Sequence, residues 1–281
     1  MQNALTVTQP VSRTAQLKTL WKVLKLLARD PRRLGNLIDY RAEERAYVNQ
    51  HYGLNDGLPT VDLLDLLPGF DETVEPVSFL EGTSLVTDLA LLRALARRFP
   101  QCRYLEIGTW RGESVANVAP LAAACVSISL SPDEMRQSGY NQELIAAHGF
   151  YSKKYANITH IGHDSRTFDY STLSEKFDLI FVDGDHTHDS VRIDTQNAFQ
   201  MLRGPDSMIV WHDYGHTRYS IQWHILAGIL DGCPPDKRAH LYHVSNTLCA
   251  IYSPQPLAAK IVDAPQIPSK TFRVSLSAIR T

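Results

Sequence analysis

The sequence predicts an α/β fold built on a mostly parallel sheet with helices on both faces. Three observations carry this expectation. Short apolar runs alternate with helix-length stretches from Arg103 to His212, the pattern of successive βαβ units. Two of the runs end abruptly in charge: Leu179–Val182 runs into Asp183, and Met208–Trp211 runs into His212 and Asp213. Strands buried in a parallel sheet read as continuous apolar runs, and their carboxyl ends open on the ligand crevice. Finally, the runs Leu241–Val244 and Leu248–Tyr252 are joined only by Ser245-Asn246-Thr247, a turn that permits nothing but an antiparallel hairpin.

Taken in order, residues 1–12 are polar and loose. Leu17, Leu20, Trp21, Leu24 and Leu27 then recur at helical spacing, with Lys18, Lys22, Lys25 and Arg29 as a second stripe, and Asp30-Pro31 closes this basic amphipathic helix. Residues 31–80 read as short helices and loops. A helix is expected from Ser84 to Arg98, ended by Pro100. Strands follow at Tyr104–Ile107, Cys125–Leu130, Ile158–Ile161, Leu179–Asp183 and Met208–His212, with helices between them over Glu113–Ala124, from Ser131, and over Asp189–Leu202. Ser131 and Glu134 are placed for a capping box, with Pro132 at the first helical position. Ile221–Leu230 is helical, the hairpin follows, and a proline-containing tail closes the chain. The division is a helical extension or cap over 1–80, a core domain over 81–253 and a tail over 254–281.

The chain has 281 residues, 44% hydrophobic and 21% charged, enough for one full core with an appendage. A formal charge of −2 argues against a nucleic-acid partner. Four cysteines without CxxC spacing read as buried thiols in a reducing compartment. With no signal-peptide pattern and no long apolar run, a cytoplasmic location is expected. Residues 13–33 have two readings. The helix packs on the domain or on a second copy, which makes a homo-oligomer the expectation, or it contacts a membrane surface or an acidic protein.

The loop after the first core strand is Glu106-Ile107-Gly108-Thr109-Trp110-Arg111-Gly112-Glu113-Ser114. Its glycines would let backbone approach a ligand where strand turns into helix. The spacing is not the G-x-G-x-x-G of a dinucleotide site, and the Lys-Ser/Thr of a phosphate loop is missing. An acid two residues before the first glycine repels pyrophosphate and attracts a cation such as an amino group or a sulfonium. A nicotinamide dehydrogenase is therefore disfavoured.

This E-x-G-x-x-x-G strand end resembles motif I of the class I S-adenosylmethionine-dependent methyltransferases. With Asp183-Gly184-Asp185-His186 and His212-Asp213 at later strand ends, the chain is similar to their metal-dependent O-methyltransferase branch, the catechol and macrolide-sugar type. The resemblance covers about residues 80–253. It implies a Rossmann-like sheet of seven strands, mostly parallel, with the C-terminal antiparallel hairpin. It also implies that S-adenosylmethionine lies against Glu106, Gly108, Thr109, Gly112 and Ser114. Ser129 and Leu130 stand where the family places an acid on the ribose hydroxyls; a serine offers one hydrogen bond there and no charge. Asp164 and Ser165 fall where adenine is read, Asp164 as an acceptor, and Asp183 closes the cofactor set. The alternative for Asp164-Ser165 is a helix N-cap.

Two strand ends deliver Asp183, Asp185, His186, His212 and Asp213 to one place, a candidate metal site. In the related branch the ligand positions match Asp183, His212 and Asp213. Mg²⁺ or Mn²⁺ is expected, and the histidine is less natural for Mg²⁺. It would otherwise only orient Asp213. The branch's general base falls on His186, and an unperturbed imidazole, with a pKa of about 6.5, suits that role. Each residue has a plainer alternative. Asp183 and Asp185 also fit helix N-caps, and Asp189 and Asp194 fit the start and polar face of the next helix. His188, His216 and His224 fit surface or packing roles, and Trp211 and Tyr214 fit either pocket or core. The expected function is metal-assisted O-methylation of a hydroxylated small molecule or sugar, with walls from residues 31–82 and 214–240. The alternative is a metal-independent or non-enzymatic S-adenosylmethionine-binding protein whose basic N-terminal helix docks on a partner or membrane surface.

Overall fold

The structure, a computed structural model, describes residues 18–25, 40–262 and 267–280. The chain divides into two compact units, Met1–Glu43 and Glu44–Thr281. In the first, residues 18–25 are helical (α1), as the stripe of leucines and lysines predicts, and Leu20, Trp21 and Leu24 are exposed. The rest of the predicted basic helix lies outside the described residues. Helix α2 (Tyr40–Tyr52) crosses the division between the units.

The second unit is organised on a nine-stranded sheet in the order β4-β3-β2-β5-β6-β8-β7-β1-β9. Five strands, β2 (Cys102–Ile107), β3 (Ala122–Ser129), β4 (Ile158–Gly162), β5 (Leu179–Val182) and β6 (Met208–Trp211), are parallel. The predicted hairpin forms from β7 (Leu241–Val244) and β8 (Ala250–Tyr252), with β8 running antiparallel between β6 and β7. The expectation of seven strands is corrected to nine. The two additions are β1 (Thr60–Val61), parallel to β7, and β9 (Ala259–Lys260), antiparallel to β1. Both are two residues long, too short to set up a side-chain alternation, so neither shows in the sequence. They draw on residues outside 81–253, so the sheet recruits from both flanking segments. The tail is also held at Lys270, whose Nζ donates to Asp62 Oδ2 at 2.5 Å and to Asn246 Oδ1 at 3.1 Å.

Alternation along the strands sorts the core into two layers. Ile180, Val182, Ile209 and Trp211 face one side, under α8 (His188–Gln200) and α9 (Trp223–Gly232). Leu179, Phe181, Met208 and Val210 face the other, under α4 (Val86–Ala96) and α5 (Glu113–Val118). The period of two therefore sends Asp183 and His212, one residue beyond Val182 and Trp211, to the α4 face. Helix α5 stops well short of the expected Ala124. Pro120 has no N–H for a continuing helix, so the chain leaves through a single 3₁₀ turn, Ala119–Leu121, and enters β3. The predicted capping box of α6 (Pro132–Gln137) forms: Ser131 Oγ accepts from Glu134 N at 3.3 Å, and Glu134 Oε2 accepts from Ser131 N at 2.8 Å. α3 (Leu63–Leu66) and α7 (Gln142–Ala147) are short connections. All four cysteines are buried and free, and burial pushes the Cys102 thiol up to about 12. No helix among the described residues is long and apolar enough to cross a membrane.

Candidate active site

The strand order reverses at β2. The chain goes on to β3 on one side and returns to β5 on the other. Ligands of open α/β sheets bind at such a switch point, outside the carboxyl ends of the strands. A cavity of about 610 Å³ lies there. Gly108 and Thr109 after β2, Ser129 and Leu130 at the end of β3, and Asp164 and Ser165 after β4 line it, as does Asp183 after β5. Glu106, Gly112 and Ser114 do not line it.

The glycines of the loop answer first to the protein's own packing. Gly108 has φ +99°, and a Cβ there would stand 1.9 Å from the Asp183 carbonyl oxygen. Gly112 has φ +76°, and its Cβ would stand 2.3 Å from Ser152 Oγ. The strand ends meet so closely that no side chain fits between them. Glu106 is fully buried beneath this floor. Its Oε2 accepts from Tyr104 Oη at 2.9 Å, while Oε1 has no hydrogen-bond partner. Burial, reinforced by the Asp183 carboxylate, raises its pKa to about 8, with the Ser114 and Tyr104 hydroxyls offsetting only part.

The far wall of the cavity is tied to the loop by Arg111. Its Nη1 donates to the Glu81 carbonyl at 2.8 Å and its Nη2 to Thr83 Oγ1 at 2.8 Å, which brings Gly82 and Thr83 onto the cavity. Trp110, also on the wall, takes φ 41°, unusual for a residue with a Cβ. At the end of β3, Ser129 Oγ pairs with His148 Nε2 at 2.8 Å. Burial, with Lys153 and His160 nearby, holds His148 below the usual imidazole range. Asp164 begins no α-helix; it accepts from the Arg166 backbone and binds the Arg166 guanidinium, with Nη2 at 2.6 Å. Arg166 accordingly keeps the Asp164 carboxyl below its ordinary range.

Asp183, His186, His212 and Asp213 come together on the cavity wall. Asp183, His186 and Asp213 each offer a ligand atom within 4.8 Å of the others. His186 Nδ1 is 3.4 Å from Asp213 Oδ2, and Asp213 takes φ 54°. His212 lies behind them, 8% exposed. Its Nε2 meets Asp88 Oδ2 at 3.0 Å. Its Nδ1 lies 3.3 Å from Asp183 Oδ1 and 3.2 Å from Asp213 Oδ1, yet it is aligned with neither as a hydrogen bond. Burial opposes the imidazolium, but Asp183, then Asp213 and Asp88, outweigh it and hold its pKa well above the ordinary value. The carboxylates of Asp183 and Asp213 with a ring nitrogen, that of His186 or, once a cation displaces its proton, His212 Nδ1, are a donor set that fits a divalent cation.

Several expectations are corrected here. Asp194 is not on a polar face: it is 1% exposed, and burial lifts its pKa to about 7. It shares one helical stripe with the buried Val191, Thr195 and Ala198, so its spacing already carried the signal. Asp185 is not one of the residues that bring ligand atoms together; its Oδ2 accepts from Thr187 Oγ1 and Ser190 Oγ, both at 2.7 Å, at the start of α8. For Trp211 and Tyr214, read as either pocket or core, the core reading holds, and Trp211 Nε1 donates to Thr195 Oγ1 at 2.9 Å. Residues 214–240 contribute nothing to the cavity wall, because α9 covers the opposite layer; Tyr140, His148 and Leu248 contribute instead. His188 binds Asp231 at 2.7 Å and His224 pairs with Glu44, as packing histidines do. The sequence reading missed Asp88, Arg111 and His148, whose roles depend on distant partners.

Residues 105–214 match the family model described as a methyltransferase domain. No curated protein sequence matches the chain significantly. Among solved structures, the chain is similar to an amino pentose methyltransferase of calicheamicin biosynthesis from Micromonospora echinaspora. The identity is 18% and the TM-score 0.32, over 45% of this chain and 48% of that one. It therefore spans about half of that protein's length. It is also similar to an O-methyltransferase from Bacillus cereus, at 18% identity and a TM-score of 0.40 over 80% of this chain and 97% of that one. A third similar structure is the O-methyltransferase TomG from Streptomyces achromogenes, at 17% identity and a TM-score of 0.39 over 76% and 88% of the two chains.

Proposed function

We propose that this chain, of which residues 105–214 match the methyltransferase-domain model, is an S-adenosylmethionine-dependent O-methyltransferase acting on a hydroxyl of a small molecule or sugar. The observation that carries the reading is one cavity lined by two chemically distinct groups of residues. The Gly108-Thr109 and Ser129-Leu130 strand ends form a close-packed floor with few charges, suited to the methyl donor. Asp183, His186, His212 and Asp213 gather beside that floor, where the acceptor hydroxyl would sit.

In this reading Asp183, His212 and Asp213 hold a divalent ion, Mg²⁺ or Mn²⁺ by the preponderance of carboxylate oxygen. Such an ion, when bound, supplies Lewis acidity that lowers the pKa of an alcohol. His186 supplies the base. With Nδ1 turned to Asp213 at 3.4 Å, Nε2 is left to take the hydroxyl proton. The chain's remaining contribution is to hold acceptor oxygen and methyl carbon in line and to keep water out.

Calorimetric titration with S-adenosylmethionine tests the foundation, and an absence of binding at high micromolar concentration removes it. Methyl transfer to a panel of hydroxylated acceptors, before and after exhaustive chelation, tests the metal. Turnover that survives chelation favours a metal-independent enzyme using His186 or His212 alone. A second reading, a cofactor-binding protein that docks through its N-terminal helix, draws on the exposed Leu20, Trp21 and Leu24 beside Lys18, Lys22 and Lys25. Loss of binding to anionic liposomes on deleting residues 1–40, with cofactor affinity intact, is its test.

A further inference from the structure

We propose that Asp88 is a positioning residue for the cation site, fixing which nitrogen of His212 is turned to Asp183 and Asp213. The inference rests on the metal-assisted reading above and assigns a role to a residue of α4, outside the matched domain.

Asp88 is fully buried. Its Oδ1 accepts from Leu248 N at 2.9 Å. Its Oδ2 accepts from Leu85 N at 2.9 Å and from His212 Nε2 at 3.0 Å. Both carboxyl oxygens already accept from backbone N–H groups, so in the third contact Nε2 is assigned as the donor. The ring is also packed edge-on to Phe181, with centroids 5.9 Å apart, which limits its rotation. Nδ1 is thereby left facing Asp183 and Asp213 with no aligned hydrogen bond. A histidine that ligates a metal through one nitrogen almost always donates from the other to a carboxylate or carbonyl, which fixes its tautomer and raises its basicity. Asp88 occupies that place.

The competing role is purely structural. Asp88 sits at the third position of α4 and accepts from the N-cap N–H of Leu85, which has no side-chain acceptor to return the bond. Its contact with Leu248 also fastens the hairpin turn. A cap and a fastener would affect stability but not the choice of tautomer or the affinity for a cation.

The test is Mn²⁺ titration of the full-length protein and of Asp88→Asn, which keeps the shape but loses the charge and one acceptor. The expected result is a 10- to 100-fold loss of Mn²⁺ affinity. S-adenosylmethionine affinity should stay within about threefold, since Asp88 does not line the cavity. If the parent protein binds Mn²⁺ and Asp88→Asn binds it equally well while melting at a lower temperature, Asp88 is a cap and the inference falls alone. If the parent protein binds no Mn²⁺, the metal-assisted reading falls and takes the inference with it. Should Asp88→Asn fail to fold, ¹⁵N-histidine spectra of the Zn²⁺-loaded parent decide. His212 protonated at Nε2 with a metal-shifted Nδ1 supports the assignment, and Nε2 as the shifted nitrogen overturns it.

Discussion

Glu106→Gln is expected to change how stability depends on pH, and the size of the change follows from where the carboxyl sits. Glu106 is wholly buried, with Oε1 unpartnered and Asp183 close by, and its pKa rises from 4.5 to about 8 on folding. A carboxyl with a raised folded-state pKa binds more protons folded than unfolded between those two values. Stability therefore falls as pH rises through that window and levels off above pH 8. The slope is about 1.4 kcal/mol per pH unit, so from pH 5.5 to 7.5 the native protein loses on the order of 3 kcal/mol through this one group. The glutamine variant has no proton to lose. Its amide leaves one buried polar atom poorly matched, an offset of roughly 1–3 kcal/mol that does not vary with pH. Urea denaturation of both proteins at half-unit steps from pH 5 to 9 separates offset from slope. The difference in unfolding free energy should shift in favour of the variant by about 1.4 kcal/mol per unit and flatten near pH 8. Other titrating groups, Asp194 among them, are common to both proteins and cancel. Parallel curves across this range would refute the assignment of a protonated Glu106.

Three further outcomes are expected. His186→Ala should lower the single-turnover methyl-transfer rate by about 10²–10⁴-fold, with S-adenosylmethionine affinity by calorimetry little changed; normal turnover removes the proposed base. Gly108→Ala combines φ +99° with a Cβ 1.9 Å from the Asp183 carbonyl oxygen, backbone that cannot step aside. It should cost at least about 3 kcal/mol in denaturant unfolding, and a loss under 1 kcal/mol would mean the two strand ends are not in contact. Phe181→Ala empties a fully buried site between β5 and the α4 layer and should cost roughly 3–5 kcal/mol by the same measurement.

The parts of the fold legible in the sequence are those whose signal is local. Leu179–Val182 and Met208–Trp211 are buried on both faces, so they must be apolar throughout, and their abrupt ends in charge mark where the sheet stops. The 245–247 turn forces β7 and β8 to be antiparallel. The capping box at Ser131 is contained in four residues. What stayed hidden depends on partners far away along the chain. Asp88 precedes His212 by 124 positions, and in sequence it resembles any acid in a helix's first turn. Arg111 looks like a loop cation until the segment it holds, 81–83, is placed against it. The glycine loop was legible as a site but not in its physical cause. Gly108 is required by the carbonyl of Asp183, a contact no spacing rule contains. Asp194 differs again: periodicity places it on the buried Val191–Ala198 stripe, while its charge alone points to a polar face.

The outermost pair, Thr60–Val61 with Ala259–Lys260, also bears on how the chain is made. β1 has two neighbours, β7 and β9, and both are synthesised after nearly all of the intervening chain. While the ribosome is still working, the β1 segment has no strand to join, and once β7 docks its outer backbone edge is open until residue 260 has emerged. An open edge is a template for pairing with another chain. Molecules ending before Ala259 should pair more readily through β1 than the intact chain does, because residues 259–260 are what cover that edge.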